Sequence, residues 1–245
     1  MALPSTTRTT EEAVETMSNS QAESFIHFHR PWLGDEEEKE VIETLRSGWL
    51  TTGARTHEFE RRFAEYIGCK HAIGLNSCTA GLHLALSALD LGPGDEVITT
   101  PITFAASANV IVHQGAKPVF VDVEPDTLEM DADKIEKQIT EKTRAILPVH
   151  LYGHPCDMDV IQHLSQKYRL AVIEDAAHAV GTEYHGKKVG SIGDATAFSF
   201  YATKNITTGE GGMLTTDRDD LAEKIRILSL HGITADAWMR HGEGE

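Results

Sequence analysis

From about residue 25 onward the chain alternates short apolar runs with longer amphipathic stretches. The apolar runs, 72–75 (AIGL), 96–100, 117–123 (KPVFVDV), 144–150, 170–174, 196–200 and 212–216, are 4–7 residues long. That is the length of buried strands, and several are rich in β-branched residues. Between them, 79–89 (TAGLHLALSAL), 104–113, 131–139, 158–168 and 219–230 carry apolar residues at helical spacing. Strands alternating with helices in this way predict an α/β domain built on a mostly parallel sheet with helices on both faces. Residues 1–24 are rich in Ser, Thr and Glu with few large apolar side chains. They read as a disordered leader ahead of one large domain over 25–245.

In sheets of this kind ligands bind beyond the carboxyl ends of the strands, so those ends are where chemistry is sought. After 72–75 comes Asn76-Ser-Cys-Thr, opening straight into a helix. Ser77, Cys78 and Thr79 stand where a helix start offers unpaired N–H groups and a positive dipole end. That suits an anion, although an ordinary N-cap uses the same residue types. After 170–174 comes Asp175 among Ala176, Ala177 and His178. A carboxylate there needs a cationic partner or a structural capping role. After 196–200 comes Lys204, in a loop of small, polar and Gly residues rather than on a helix face. Most lysines are solvated surface groups, which is the competing reading.

An anion cradle, a carboxylate and an amine together match the needs of one cofactor, pyridoxal 5′-phosphate. It requires a phosphate site, an acid near its ring nitrogen and an amine for its aldehyde.

Composition narrows the partners. Twenty-two Lys and Arg against 38 Asp and Glu give a net charge of −16, which argues against a nucleic-acid backbone as ligand. No apolar stretch is long enough to span a bilayer, so no membrane partner is expected. Three cysteines, Cys69, Cys78 and Cys156, are too few and too odd in number for a disulfide framework and suggest a reducing, cytoplasmic setting. His150, His154 and Cys156 are spaced H-x3-H-x-C. This matches no standard zinc pattern and lacks an evident fourth ligand, so no metal is expected.

The motifs in order resemble the DegT/DnrJ/EryC1/StrS family of sugar aminotransferases, fold-type I enzymes that use pyridoxal phosphate. The likeness is carried by SGWLTTG (47–53), NSCTAGLHLAL (76–86), TPITFAASANVI (100–111), GAKPVFVDVEPDTLEMD (115–131), LPVHLYGHPCDMD (147–159), VIEDAAHAVGT (172–182), AFSFYATKNITTGEGGMLTT (197–216) and LSLHG (228–232). The strings EDAAHAVGT, KNIT and EGG are shared with its UDP-4-keto-pentose aminotransferases. Cys78 departs from the Gly, Ala or Ser that often precedes the Thr.

The resemblance implies that Lys204 holds the cofactor covalently and later carries protons, and that Asp175 pairs with the ring nitrogen. It implies that His178 contacts the phenolic oxygen, that Ser77, Cys78, Thr79 and Ser199 hold the phosphate, and that Phe104 stacks on the ring opposite Ala177. Gly48, Trp49 and Thr52 would lie near the substrate entrance. It further implies glutamate as amino donor, a keto nucleotide sugar as acceptor, a homodimer with pockets between subunits, and a small C-terminal domain lying beyond this chain. Two alternatives stay open. One is a sugar 3-dehydratase on the same scaffold, against which Lys204 counts because those relatives carry His there. The other is a non-catalytic cofactor- or sugar-binding relative.

Overall fold

The computed structural model describes residues 27–233, so the 1–24 leader lies outside the described residues. Contacts divide the chain into two units, 1–32 and 33–245. Of the first, the described part is an irregular stretch with a bend at Phe28. The rest of this section concerns the second.

Seven strands form one sheet: β1 (His71–Leu75), β2 (Glu96–Thr99), β3 (Lys117–Phe120), β4 (Thr143–Ile146), β5 (Ala171–Asp175), β8 (Ala195–Ser199) and β9 (Gly212–Thr216), in the order β1-β9-β8-β5-β4-β2-β3. All neighbouring pairs are parallel except those of β9, which runs antiparallel to both β1 and β8. A two-stranded hairpin, β6 (Glu183–Tyr184) and β7 (Lys187–Lys188), stands apart. The helices are α1 (Asp35–Ser47), α2 (Ala54–Ile67), α3 (Cys78–Ala88), α4 (Ala106–His113), the single turn α5 (Ala132–Ile135), α6 (Met158–Tyr168) and α7 (Asp219–Ser229).

The strand pattern explains why both faces are covered. Ile73, Val97, Ile173, Ala195, Ala197 and Leu214 point into a core shared with α3, α4 and α7. Their chain neighbours point the other way. Ile98 and Val172 join a core with Ile161 and Leu164 of α6, while Ala72, Phe198 and Met213 join one with Phe63 and Ile67 of α2. Successive strand residues alternate faces, and here both faces are apolar, as a doubly covered sheet requires. Each large side chain so buried contributes about 1.5–3 kcal/mol. Phe63 makes edge contacts with Phe198 and Phe200 at 5.2 and 5.6 Å between ring centres, which seats α2 on the sheet.

Three expected elements differ most in extent. The 117–123 strand stops at Phe120, and Val123 instead makes a lone bridge to Met130. The 131–139 helix is one α turn followed by a 3₁₀ turn, Glu136–Gln138. The 144–150 strand ends at Ile146, just before Pro148, which has no N–H for the ladder. The acidic clusters at 35–38 and 217–223 read in the sequence as solvated helix starts; both begin helices, but the second is not merely solvated. Asp217 accepts the Lys70 N–H at 2.7 Å, and Asp219 lies 2.7 Å from the His71 ring, so both fasten the start of β1.

Edge strand β1 is further held by Glu60 of α2, a buried carboxylate that accepts the Gly74 N–H at 2.7 Å and pairs with Arg226 at 3.2 Å. Among the described residues, no helix is long and apolar enough to cross a membrane.

Candidate active site

Asp175 is the last residue of β5, Ser199 the last of β8, and Ser77 the N-cap of α3 just beyond β1. These three strand ends open into one cavity of about 500 Å³. Its walls include Ser77, Cys78, Thr79, Phe104, Asp175, Ala177, His178, Ser199 and Lys204. All nine sequence-predicted cofactor residues are therefore brought to a single place.

The cradle is built from the first turn of α3. Ser77 Oγ accepts the Ala80 N–H at 3.1 Å, so the N-cap reading of Ser77 is correct as far as it goes. It leaves the Cys78 and Thr79 N–H groups at a helix start, where no preceding carbonyl of the helix reaches them. Gly212, the first residue of β9, runs hard against this turn. A Cβ there would collide with the Ser77 carbonyl carbon and the Cys78 nitrogen. The glycine is needed for close approach of two backbones, not for an unusual backbone angle.

Asp175 is 4% exposed yet well supplied with donors. Its Oδ1 accepts the Ala177 N–H at 3.1 Å and faces Cys78 Sγ at 3.8 Å, while Oδ2 accepts the Ser107 hydroxyl at 2.7 Å. Burial and the nearby Asp175 charge push the Cys78 thiol well above its ordinary range. Cys78 is thus a neutral small side chain in the wall rather than a reactive thiolate.

Lys204 lies on the loop between β8 and β9. The loop is pinned by Lys204 N–H to Tyr201 O at 2.9 Å, Asn205 Nδ2 to Val180 O at 3.0 Å and Thr208 N–H to Phe200 O at 3.0 Å. Lys204 Nζ sits 2.7 Å from His178 Nε2. The other edge of that ring, Nδ1, faces the Tyr152 N–H at 3.3 Å, so Nε2 is the nitrogen left to carry the neutral ring's proton whenever it is not accepting from the Lys204 ammonium. Tyr152 also stacks on His178, with ring centres 5.4 Å apart and planes 4° from parallel. To do so it takes a left-handed backbone angle of φ 51°, costly for a non-glycine residue. Burial, and then the Lys204 charge, lowers the His178 pKa; the Asp175 charge opposes them.

The amine and the carboxylate line the same cavity, the amine against His178 and the carboxylate against Cys78. This closeness is what a ring joined to an amine on one side and an acid on the other demands. Phe104 is 79% exposed, so it is not a core aromatic, the structural alternative to stacking for an aromatic residue at a helix start.

Gly48, Trp49 and Thr52 lie elsewhere. Gly48 caps α1 in the left-handed conformation, and the Trp49 indole donates to Thr52 O at 2.9 Å. Thr52 lines a second cavity of about 840 Å³. The two cavities share Glu210 in their walls.

Sequence reasoning missed Thr103, Ser107, Tyr201, Thr203 and Glu210, which also line or support the site. Thr103 and Ser107 flank Phe104 in TFAAS, and that proximity was the available signal. His150 and Cys156 do meet, but in a hydrogen-bonded chain. The Cys156 N–H donates to His150 Nδ1 at 3.2 Å, Cys156 Sγ to Glu129 at 3.0 Å, and His150 Nε2 to Glu174 at 2.9 Å. Among the described residues no group of three or more His, Cys, Asp or Glu side chains is placed to hold a metal ion.

A family model described as the DegT/DnrJ/EryC1/StrS aminotransferase family matches residues 31–244. The chain is 63% identical over 219 residues to the uncharacterized protein MJ1066 of Methanocaldococcus jannaschii, covering 89% of this chain and 57% of that protein. It is 56% identical over 217 residues to the spore coat polysaccharide biosynthesis protein SpsC of Bacillus subtilis, covering 89% and 56%. Among solved structures it resembles Spr1654 of Streptococcus pneumoniae in its PLP form, with a TM-score of 0.81 and 44% identity over 84% of this chain and 58% of that one. The chain thus spans little more than half the length of the curated relatives it matches.

Proposed function

The chain belongs to the DegT/DnrJ/EryC1/StrS aminotransferase family, and from that premise we propose that it is the large, cofactor-binding domain of a pyridoxal-phosphate-dependent sugar aminotransferase. The amino donor in this reading is glutamate, and the acceptor is a keto nucleotide sugar used in polysaccharide, lipopolysaccharide or antibiotic sugar synthesis. One observation carries the reading: Lys204, Asp175 and the first turn of α3 converge on one cavity.

When bound, pyridoxal phosphate supplies an electron-withdrawing ring that takes up the electron pair left as a substrate C–H bond breaks. The protein's groups do the rest. Ser77, Cys78 and Thr79 offer N–H and hydroxyl donors to the phosphate, with Ser199 beside them, and Asp175 pairs with the ring nitrogen. His178 presents Nε2–H to the phenolic oxygen. Lys204 would hold the cofactor through its amine, and the same amine, when free, is the group placed to take up and return a proton there. Phe104 and Ala177 cover the two ring faces.

Gly48, Trp49 and Thr52 are our candidates on the sugar side, supported by the adjoining cavity that Thr52 lines. A homodimer is part of the same reading, since Phe104 and Tyr201 leave an exposed apolar rim at the cavity that a second copy would cover. Three free cysteines favour a cytoplasmic setting.

The test supplies ¹⁵N-glutamate and a panel of keto nucleotide sugars to the holoenzyme and follows the label by mass spectrometry. Label in an amino sugar supports the reading. Loss of water without label indicates the dehydratase, and a cofactor-bound protein that transfers no nitrogen indicates the non-catalytic relative.

A further inference from the structure

Asp175 carries a hydrogen-bond partner on each oxygen, and the two partners come from different elements. Ala177, in its own turn, holds Oδ1. Ser107, the second residue of α4 and fully buried, holds Oδ2 at 2.7 Å. Within a helix a serine hydroxyl ordinarily turns back onto a carbonyl of the preceding turn. Ser107 has that option in Phe104 O, but at 3.3 Å it is the longer contact. An ionised carboxylate can only accept, so the Ser107 proton is directed at Asp175. Thr103 Oγ1, 2.7 Å from Ser107 Oγ, then supplies the second hydrogen of the chain. The order Thr103 to Ser107 to Asp175 is thereby fixed.

Rotation of a carboxyl group about its last bond is soft and nearly two-fold. Pinning one oxygen leaves the plane free to swing, whereas pinning both from separate elements fixes it. Asp175 lines the cavity with a lone-pair site left on Oδ2 after Ser107 is served.

We infer that Ser107 is a positioning residue, whose hydroxyl, oriented by Thr103, fixes the plane of the Asp175 carboxylate so that its remaining lone pair meets the cofactor's ring N–H. The inference rests on the proposed pairing of Asp175 with that nitrogen. It makes the loop that carries Phe104 part of the same device, because Thr103 and Ser107 lie on either side of the aromatic residue.

The test is a comparison of two ligands, pyridoxal phosphate and its 1-deaza analogue, in which a carbon replaces the ring nitrogen. Dissociation constants are measured by absorbance titration of the cofactor-free full-length enzyme and of its Ser107→Ala, Ser107→Thr and Thr103→Val forms. Ser107→Ala is expected to shrink the preference for pyridoxal phosphate over the analogue by roughly tenfold, as for a hydrogen bond to a charged group. Its affinity for the analogue should stay within about twofold of the unsubstituted enzyme's, on the same reasoning. Ser107→Thr, which keeps the hydroxyl, should recover the preference, and Thr103→Val should lose part of it. Equal weakening of both ligands by Ser107→Ala would reduce Ser107 to a packing role and overturn the inference. An undiminished preference in Ser107→Ala would overturn it while leaving the Asp175 pairing intact. No preference in the unsubstituted enzyme would overturn the pairing itself, and this inference with it.

Discussion

Lys204 Nζ stands 2.7 Å from His178 Nε2, and the opposite edge of the same imidazole is occupied by the Tyr152 N–H at 3.3 Å. The ring is thus fixed between a backbone donor and an amine. Its basicity is set by burial and by the Lys204 charge, which lower it, against Asp175, which raises it.

Those opposing causes predict opposite responses. His178 should titrate below its ordinary value of 6.5 in the folded cofactor-free enzyme. Lys204→Ala should move the midpoint up and Asp175→Asn should move it further down, read from ¹⁵N-labelled imidazole shifts. The folded value lies below the unfolded one, so the unfolded chain binds the extra proton first. The contribution of His178 to stability is therefore present above the unfolded value and is lost as pH falls through that window. Shifts of the same sign in both variants would contradict the arrangement.

Gly212 lies against the Ser77–Cys78 peptide, so Gly212→Ala should push the first turn of α3 out of place. Charge-assisted hydrogen bonds are worth about 1.5–3 kcal/mol, and affinity for pyridoxal phosphate should fall by roughly tenfold or more. Affinity for pyridoxal, which has no phosphate, should change far less. Equal losses for the two ligands would show that the glycine serves the sheet rather than the cradle.

Glu174, wholly buried one residue before Asp175, accepts from His150, from the Gly193 N–H at 2.7 Å and from the Thr196 hydroxyl at 2.7 Å. Glu174→Ala strands three donors and should cost about 3–5 kcal/mol of folding stability. Glu174→Gln retains an acceptor for Gly193 and Thr196 and should cost about 1–3 kcal/mol. Urea unfolding distinguishes them, and equal losses would contradict this network.

Much of this was legible in the sequence because the sheet is covered on both faces. Short apolar runs such as 170–173 have few alternatives to a buried strand, and a carboxylate at the end of the strand, Asp175, stands out against Ala176 and Ala177. Ser107 did not stand out. In TFAASANVI it looks like any small helix residue, and only the packing of α4 beside β5 shows that it reaches Asp175. The β6–β7 hairpin was missed although Gly186 marks its turn, since its neighbour His185 also takes a left-handed angle, φ 49°, and histidine seldom signals that. Helix α2 was not predicted, and of α1 only its acidic start at 35–38 was legible. α1 buries none of its residues, and Val41 and Leu45 remain exposed, so its pattern has no core to report. Gly48, Trp49 and Thr52 came from resemblance alone, and no local feature could say which cavity they would reach.

The central claim is that the amine of Lys204 is the group that holds pyridoxal phosphate. Borohydride reduction of the cofactor-loaded enzyme, followed by peptide mass spectrometry, locates that link directly. The account predicts a pyridoxyl-phosphate mass on the peptide containing Lys204, and its absence from a Lys204→Ala enzyme that keeps its circular dichroism spectrum. A stable modification on another lysine in the unsubstituted enzyme, with Lys204 left bare, would contradict it.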